Sequence, residues 1–218
     1  KAGALGVADG MLVDRAFAAD ETLAAVADVR PAAPHNVANA LSAAALARAW
    51  GVPASAVAAG LRAFRPEPHR LSAVAETGGV AYVDDSKATN PHAVDAALSA
   101  YEHVVWIAGG LLKGATVDDV VSRHRHRLRA AVLYGRDRAV IAEALARHAP
   151  DVPVAEVTRT DHGVMDAVVG EAARLARPGD TVLLAPAGAS WDIFPNYGAR
   201  GDAFAAAVRG LPAEGGTA

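Results

Sequence analysis

The spacing of hydrophobic residues changes character once along this chain. Over residues 34–50, Val37, Leu41, Ala44, Ala45 and Leu46 recur at the interval of one helix face. Gly51 stops that pattern, and Pro53 opens a second helix to Phe64 with Val57, Leu61 and Phe64 along one side. Ahead of these helices, residues 4–7 and 11–13 flank Ala8-Asp9-Gly10 and predict a short hairpin, whereas residues 23–29 fit neither period. Arg65-Pro66-Glu67-Pro68 then forms a stiff connector, because proline fixes φ and biases the residue before it toward extended backbone. A domain boundary is expected there, dividing residues 1–66 from 67–218, with the connector as a hinge.

Beyond the connector, strand and helix patterns alternate. Residues 71–76 and 80–83 flank Thr77-Gly78-Gly79 as a hairpin, and a helix follows over 92–101. Strands are predicted at 104–108, 130–134, 152–157 and 181–185. Helices are predicted near 117–121, at 137–148, 161–176 and 197–208, and residues 210–218 read as a frayed tail. Pro153 suits an edge strand. Continuous apolar strands alternating with amphipathic helices predict an α/β fold, with a mostly parallel, Rossmann-like sheet covered on both faces.

Composition narrows the picture. The chain has 218 residues, 52% of them hydrophobic, which is enough for one or two domains with a sizeable core. A net charge of −3 gives no overall pull toward nucleic acid or anionic membrane. With no cysteine, disulfides, thiolate catalysis and Cys-based zinc sites are excluded, in keeping with a cytoplasmic setting. No stretch is long and apolar enough to span a bilayer. The chain opens on Lys1 without a signal peptide, so an excerpt of a longer polypeptide is expected.

Three polar clusters fall where strands end. Asp84-Asp85-Ser86-Lys87-Ala88-Thr89-Asn90-Pro91 follows the hairpin, Gly109-Gly110-Leu111-Leu112-Lys113-Gly114 the Trp106 strand, and Pro186-Ala187-Gly188-Ala189-Ser190-Trp191-Asp192-Ile193-Phe194 the last strand. Open α/β sheets place ligands at strand carboxyl ends, so the three are expected on one edge. Each has an ordinary reading as well. Asn90 and Pro91 serve as N-cap and first helical residue, the glycines as a plain turn with a solvated lysine, and Ser-Trp-Asp as a cap with an aromatic plug. Asn36 is either the cap of the long helix or, with Asn39 one turn on, a pair of amides able to read an adenine edge. The basic run Arg123 to Arg129 is read as a solvated helix end over a phosphate patch, since no aromatics interleave it. There is no dinucleotide glycine fingerprint, P-loop, nucleophile elbow or metal-binding histidine spacing, and no metal ligand is assigned.

Taken in order, Pro34-His35-Asn36-Val37-Ala38-Asn39-Ala40-Leu41, Pro68-His69-Arg70, Asp85-Ser86-Lys87-Ala88-Thr89-Asn90-Pro91, the Gly109-Gly110 and Lys113-Gly114 pairs, residues 185–194 and Arg200-Gly201-Asp202-Ala203-Phe204 resemble the ATP-dependent Mur ligase family. The Asp-Ser-Lys-Ala-Thr-Asn run points to its D-glutamate-adding branch, because sibling ligases and folylpolyglutamate synthetases differ at that turn. The resemblance implies that residues 1–66 are the helical end of a P-loop-type central ATPase domain and residues 67–218 a C-terminal amino-acid-binding domain. It implies ligation of D-glutamate to UDP-N-acetylmuramoyl-L-alanine through an acyl phosphate, using ATP and Mg2+, in a monomeric cytoplasmic enzyme of cell-wall precursor synthesis.

Residue by residue, the resemblance sets Asn36 and Asn39 near adenine, Arg70 and Asp85 at the ribose, and Lys87 at the phosphate and reacting centre. It sets Thr89, Lys113, Ser190 and Tyr197 at D-glutamate. Tyr197 stands where the family has Phe, which suits packing or capping. The family's P-loop and carbamylated lysine lie upstream of residue 1, so these 218 residues alone are expected to be inactive. A folylpolyglutamate-type ligase and a non-catalytic ligand-binding module are the alternatives.

Overall fold

The computed structural model describes residues 3–161 and 163–212. Backbone contacts divide the chain into two units, one running to Glu67 and the other starting at Pro68.

In the first unit, β1 (Leu5–Ala8) and β2 (Met11–Asp14) pair antiparallel as the pattern predicts, through a turn in which Asp9 and Gly10 both adopt positive φ. The residues without a clear period resolve into β3 (Glu21–Ala25), paired to β2, and a 3-10 turn at Val26–Asp28. Only Leu23 and Ala24 of β3 are buried, which is too short a signal for periodicity to register. This unit is therefore a three-stranded sheet with two helices, and not only a helical end. Its core joins Leu12, Leu23, Val29, Ala40, Ala44 and Val57 from the sheet, α1 (Pro34–Ala49) and α2 (Ala54–Ala63).

Two expected core positions are not in that core. Leu46 is 76% exposed and Phe64 56% exposed. On α1 the buried positions are the small Ala40 and Ala44, so the inward face is narrower and turned away from Leu46. Asp14 is fully buried. Its carboxylate pairs with Arg48 at 2.8 Å and accepts the Ala16 and Phe17 N–H groups. Burial alone would raise its pKa, but the Phe17 N–H, Arg48 and the Ala16 N–H together hold it below the usual value.

The second unit is built on six strands in the order β4-β5-β9-β6-β7-β8. The edge strand β4 (Ser72–Thr77) is antiparallel to β5 (Val80–Asp84), and every other pair is parallel. β6 (Val104–Gly109) and β9 (Thr181–Ala187) are buried at every residue, as strands covered on both faces must be. On one face Val105, Ile107, Val132, Val182 and Leu184 pack against α6 (Val164–Leu175) and α7 (Tyr197–Arg209). The other face carries α3 (Pro91–Leu98), α4 (Asp118–His124) and α5 (Arg138–His148). β7 (Leu128–Tyr134) lies inside the sheet, and β8 (Val154–Val157) forms the edge that Pro153 predicts.

Helix ends depart modestly from the pattern. α3 stops at Leu98, three residues short of the expected Tyr101, and α6 begins at Val164. The expected start of α6 includes His162, and the expected tail includes residues 213–218; these lie outside the described residues.

Candidate functional site

β9 is the last strand in sequence yet pairs with both β5 and β6. Three carboxyl ends are thereby set side by side, and the three polar clusters meet on one edge. Backbone bonds tie them: Ala187 N–H donates to Ala88 O at 2.9 Å, and Leu111 and Ala189 exchange N–H donors to each other's carbonyls at 2.8 and 2.9 Å. A buried cation completes the assembly. Arg200 on α7 is fully buried; its guanidinium donates to Ser86 Oγ at 2.9 Å, Ser86 O at 2.7 Å and Gly188 O at 2.9 Å. Ser86 Oγ in turn donates to Tyr197 O at 2.7 Å. One arginine thus clasps the turn after β5 to the turn after β9.

Within the first turn, Asp84 and Asp85 have separate tasks. Asp84 is 3% exposed, accepts the Ser86 N–H at 2.8 Å, and lies 2.6 Å from His69 Nδ1. A carboxylate can only accept, so this contact keeps the His69 proton on Nδ1. α7 leaves no room for a side chain at Gly201, where a Cβ would stand 2.1 Å from His69 Nδ1 and 2.6 Å from Asp84 Oδ2. Asp84 therefore ties His69 to the start of this turn at Ser86.

Asp85 is less fully engaged. Oδ1 accepts a long 3.3 Å bond from Leu71 N–H. Burial pushes its pKa up to about 6; the Leu71 N–H opposes the rise, the Asp84 charge adds to it, and the Arg70 charge counters it. Asn90 caps α3 by accepting Ala93 N–H at 3.0 Å, with Pro91 as the first helical residue, as expected. Lys87 Nζ lies 5.1 Å from the Tyr197 ring centroid, and Tyr197 also meets the His69 ring edge-on at 6.1 Å. Tyr197 is the first residue of α7, behind the Asn196 cap. Its ring packs on Lys87 and His69, and its carbonyl receives Ser86. Thr89 is half-buried and donates its N–H to Lys87 O at 2.8 Å.

In the second turn the glycines are obligatory. A Cβ on Gly109 would lie 1.9 Å from Tyr134 O, and one on Gly110 2.3 Å from Ala189 O; both have positive φ. Asp137, expected as the first residue of a helix and found as the N-cap of α5, supports this turn. Asp137 accepts Leu112 N–H at 2.7 Å and donates its own N–H to Gly110 O at 3.1 Å. Lys113 stands at φ +55°, with Nζ 4.2 Å from the Trp191 ring centroid. In the third turn Ser190 is 3% exposed and its carbonyl accepts Ile193 and Phe194 N–H, while Asp192 accepts Arg136 N–H at 2.9 Å. The structure therefore brings Arg70, Asp85, Lys87, Thr89, Lys113, Ser190 and Tyr197 to one unit and its strand ends.

Asn36 and Asn39 belong to the first unit. The cap reading of Asn36 is corrected: Ala33 is the N-cap and Pro34 the first helical residue, so Asn36 lies inside the first turn. Its Nδ2 donates back to Pro31 O at 3.1 Å and Arg30 O at 3.3 Å. Both asparagines line a largely apolar groove of about 460 Å3 with Ala40, Ala43, Val57 and Leu61.

Four residues of the basic run are paired: Arg123 and His124 with Asp95, Arg127 with Glu102, and Arg129 with Asp180. Among the described residues no group of three or more His, Asp or Glu could hold a metal ion, and no helix is long and apolar enough to cross a membrane.

Arg200 lies within the Arg200-Gly201-Asp202-Ala203-Phe204 motif, but sequence alone gives it no role. Sequence also leaves Asp84, the Asp137 brace and the Trp191 contact without one. The only advance signal for Arg200 was an Arg-Gly pair on an otherwise Ala-rich helix.

Residues 69–188 match the family described as Mur ligase, glutamate ligase domain. A UDP-N-acetylmuramoylalanine–D-glutamate ligase of Streptomyces avermitilis is 65% identical over 214 residues, covering 96% of this chain and 46% of that protein. The ligase of the same name from Thermobifida fusca is 61% identical over 216 residues, covering 97% and 46%. The chain thus spans about half the length of the curated relatives it matches. Among solved structures, a UDP-N-acetylmuramate–alanine ligase from Thermotoga maritima superposes with a TM-score of 0.59 at 16% identity, over 83% of this chain and 39% of that one. A folylpolyglutamate synthase of Mycobacterium tuberculosis gives 0.56 at 18%, over 96% and 48%. At such identities the likeness is one of fold.

Proposed function

The chain belongs to the Mur ligase family through its glutamate ligase domain, and from that premise we propose that it is the C-terminal half of an ATP-dependent ligase that joins D-glutamate to UDP-N-acetylmuramoyl-L-alanine. The observation that carries the reading is the convergence of Asp85, Lys87, Lys113 and Ser190 on adjacent strand ends, tied by backbone bonds and Arg200. An acidic acceptor needs cations and hydroxyl donors, and a ribose diol needs a carboxylate; this edge holds both kinds of group.

On this reading the unit up to Glu67 is the end of a central ATPase domain, and the unit from Pro68 is the amino-acid-binding domain. Bound ATP supplies the phosphoryl group that activates the substrate carboxylate. Asp85 and Arg70 hold the ribose, and Asn36 and Asn39 contact the base. Lys87 presents its charge to the phosphoryl side from against the Tyr197 ring. Thr89, Lys113 and Ser190 receive D-glutamate, with Tyr197 acting by packing. On this reading Mg2+ accompanies the bound ATP. A monomeric cytoplasmic enzyme of cell-wall precursor synthesis completes the reading.

The test is an assay of the intact ligase for ADP release that requires both D-glutamate and UDP-N-acetylmuramoyl-L-alanine. Release driven instead by a folate and L-glutamate would replace this reading with the folylpolyglutamate one. The 218 residues alone, which contain no P-loop motif, are expected to release no ADP. Turnover by them would overturn the division of labour. Lys113→Ala should raise the KM for D-glutamate much more than that for ATP, by the loss of about 1.5–3 kcal/mol expected for a charge-assisted contact.

A further inference from the structure

Trp191 stands out within its turn. Residues 187–190 beside it are buried, yet its indole is 66% exposed, so it adds little to the core. What it touches is Lys113, whose ammonium lies 4.2 Å from the ring centroid. Resting on the reading of Lys113 as a D-glutamate contact, we propose that Trp191 is a positioning residue that holds the Lys113 ammonium in place for the acceptor's carboxylate.

Both tips are anchored behind the side chains that meet. The Leu111–Ala189 pair joins the two turns, Asp137 holds Leu112 N–H, and Asp192 holds Arg136 N–H. The backbone is thereby set, and the adjustable part is the four-carbon lysine stem. A lysine at an exposed loop tip samples many rotamers, and a ligand that needs its charge must first order it.

An ion pair could impose that order, but it would occupy the ammonium with a competing carboxylate. Among the described residues Lys113 forms no ion pair, and Asp137 and Asp192 each accept a backbone N–H of these loops. An aromatic face attracts the cation through its quadrupole while leaving the charge and its N–H donors available. The indole therefore restrains Lys113 without neutralising it.

The test uses the intact ligase. Trp191→Leu is expected to raise the KM for D-glutamate about two- to fivefold, the change that a contact of cation–π strength carries. kcat, the KM for ATP and the melting temperature should stay at their wild-type values. Trp191→Phe, which keeps an aromatic face, should recover most of the loss. In a Lys113→Ala background, Trp191→Leu should have no further effect. The inference is overturned if Trp191→Leu leaves the D-glutamate KM unchanged while Lys113→Ala raises it. It is also overturned if the Trp191→Leu effect persists undiminished without Lys113. If Lys113→Ala itself leaves that KM unmoved, the acceptor-site reading fails, and the inference with it.

Discussion

Residues 85–91 and residues 34–40 each carry a polar motif into the start of a helix, and the two are built by opposite means. In the first, geometry comes from far away in sequence. Ser86 is held by Arg200 and Tyr197, Lys87 N–H donates to His69 O, and Ala88 O receives Ala187 N–H. In the second, the bonds are local. Asn36 N–H donates to Ala33 O, its side chain turns back to Arg30 and Pro31, and Asn39 is exposed. A motif assembled by long-range contacts gains rigidity and is exposed to damage at remote positions. A motif assembled by its own helix turn tolerates remote change and has only local order to give.

The largest test of that contrast is Arg200→Ala. It removes three charge-assisted bonds from a buried site and leaves Ser86 O and Gly188 O without their donor, for a destabilisation on the order of 3 kcal/mol or more. Chemical denaturation would measure it. In any protein that remains folded, the KM values for ATP and D-glutamate should rise together, because the clasp joins the turns assigned to each. A rise in only one would break the comparison.

Next in size is the titration of Asp85. Its folded pKa of about 6 lies above the 3.8 of the free side chain, so the folded state holds the proton more tightly. The associated stability is present below 3.8 and lost as pH rises through about 6; at 1.36 kcal/mol per unit this is at most about 3 kcal/mol. Denaturation of wild type and Asp85→Asn at pH 4 and pH 7 should show wild type losing stability relative to the variant as pH rises. Nucleotide binding runs the other way. As a ribose acceptor Asp85 works ionised, so the wild-type KM for ATP should climb below about pH 6 while that of Asp85→Asn stays flat.

Gly201→Ala should follow, at about 1–3 kcal/mol, since the new methyl must displace His69 or Asp84. The melting temperature reports it, and an unchanged value would mean that α7 is not pinned against this turn. The smallest effect is expected at Asn36→Ala. Losing its hydrogen bonds to Pro31 O and Arg30 O should cost about 1 kcal/mol, and the change should raise the KM for ATP without touching that for D-glutamate.

The same division explains what could be read from sequence. Asn90-Pro91 was legible as a cap because both partners lie within one helix turn. The alternation of apolar strands and helices was legible because burial on both faces of β6 and β9 leaves a continuous apolar run. Asn36 was misread as a cap because Asn is a common cap residue; Pro34 at the first helical position instead makes Ala33 the cap. Leu46 was misread because an Ala-rich helix offers several apolar faces, and packing selected the one through Ala40 and Ala44. Arg200 was illegible in role because its partner Ser86 lies 114 residues away, and no local period records such a bond. The Asp137 brace was hidden for the same reason.

The place of β9 has a consequence for how the chain is made. Synthesis delivers residues 72–157 first, as a hairpin β4-β5 and a group β6-β7-β8, whose inner edges both wait for the strand that comes last. Until residues 181–187 arrive, those edges are unpaired and open to association with other chains. A translation stop before Thr181 should therefore yield an aggregating product, although more than half of the fold's strands have been made. Conversely, a nick in the loop between α6 and β9 leaves a piece carrying β9 and α7, which should be able to rejoin the remainder as a central strand supplied from outside.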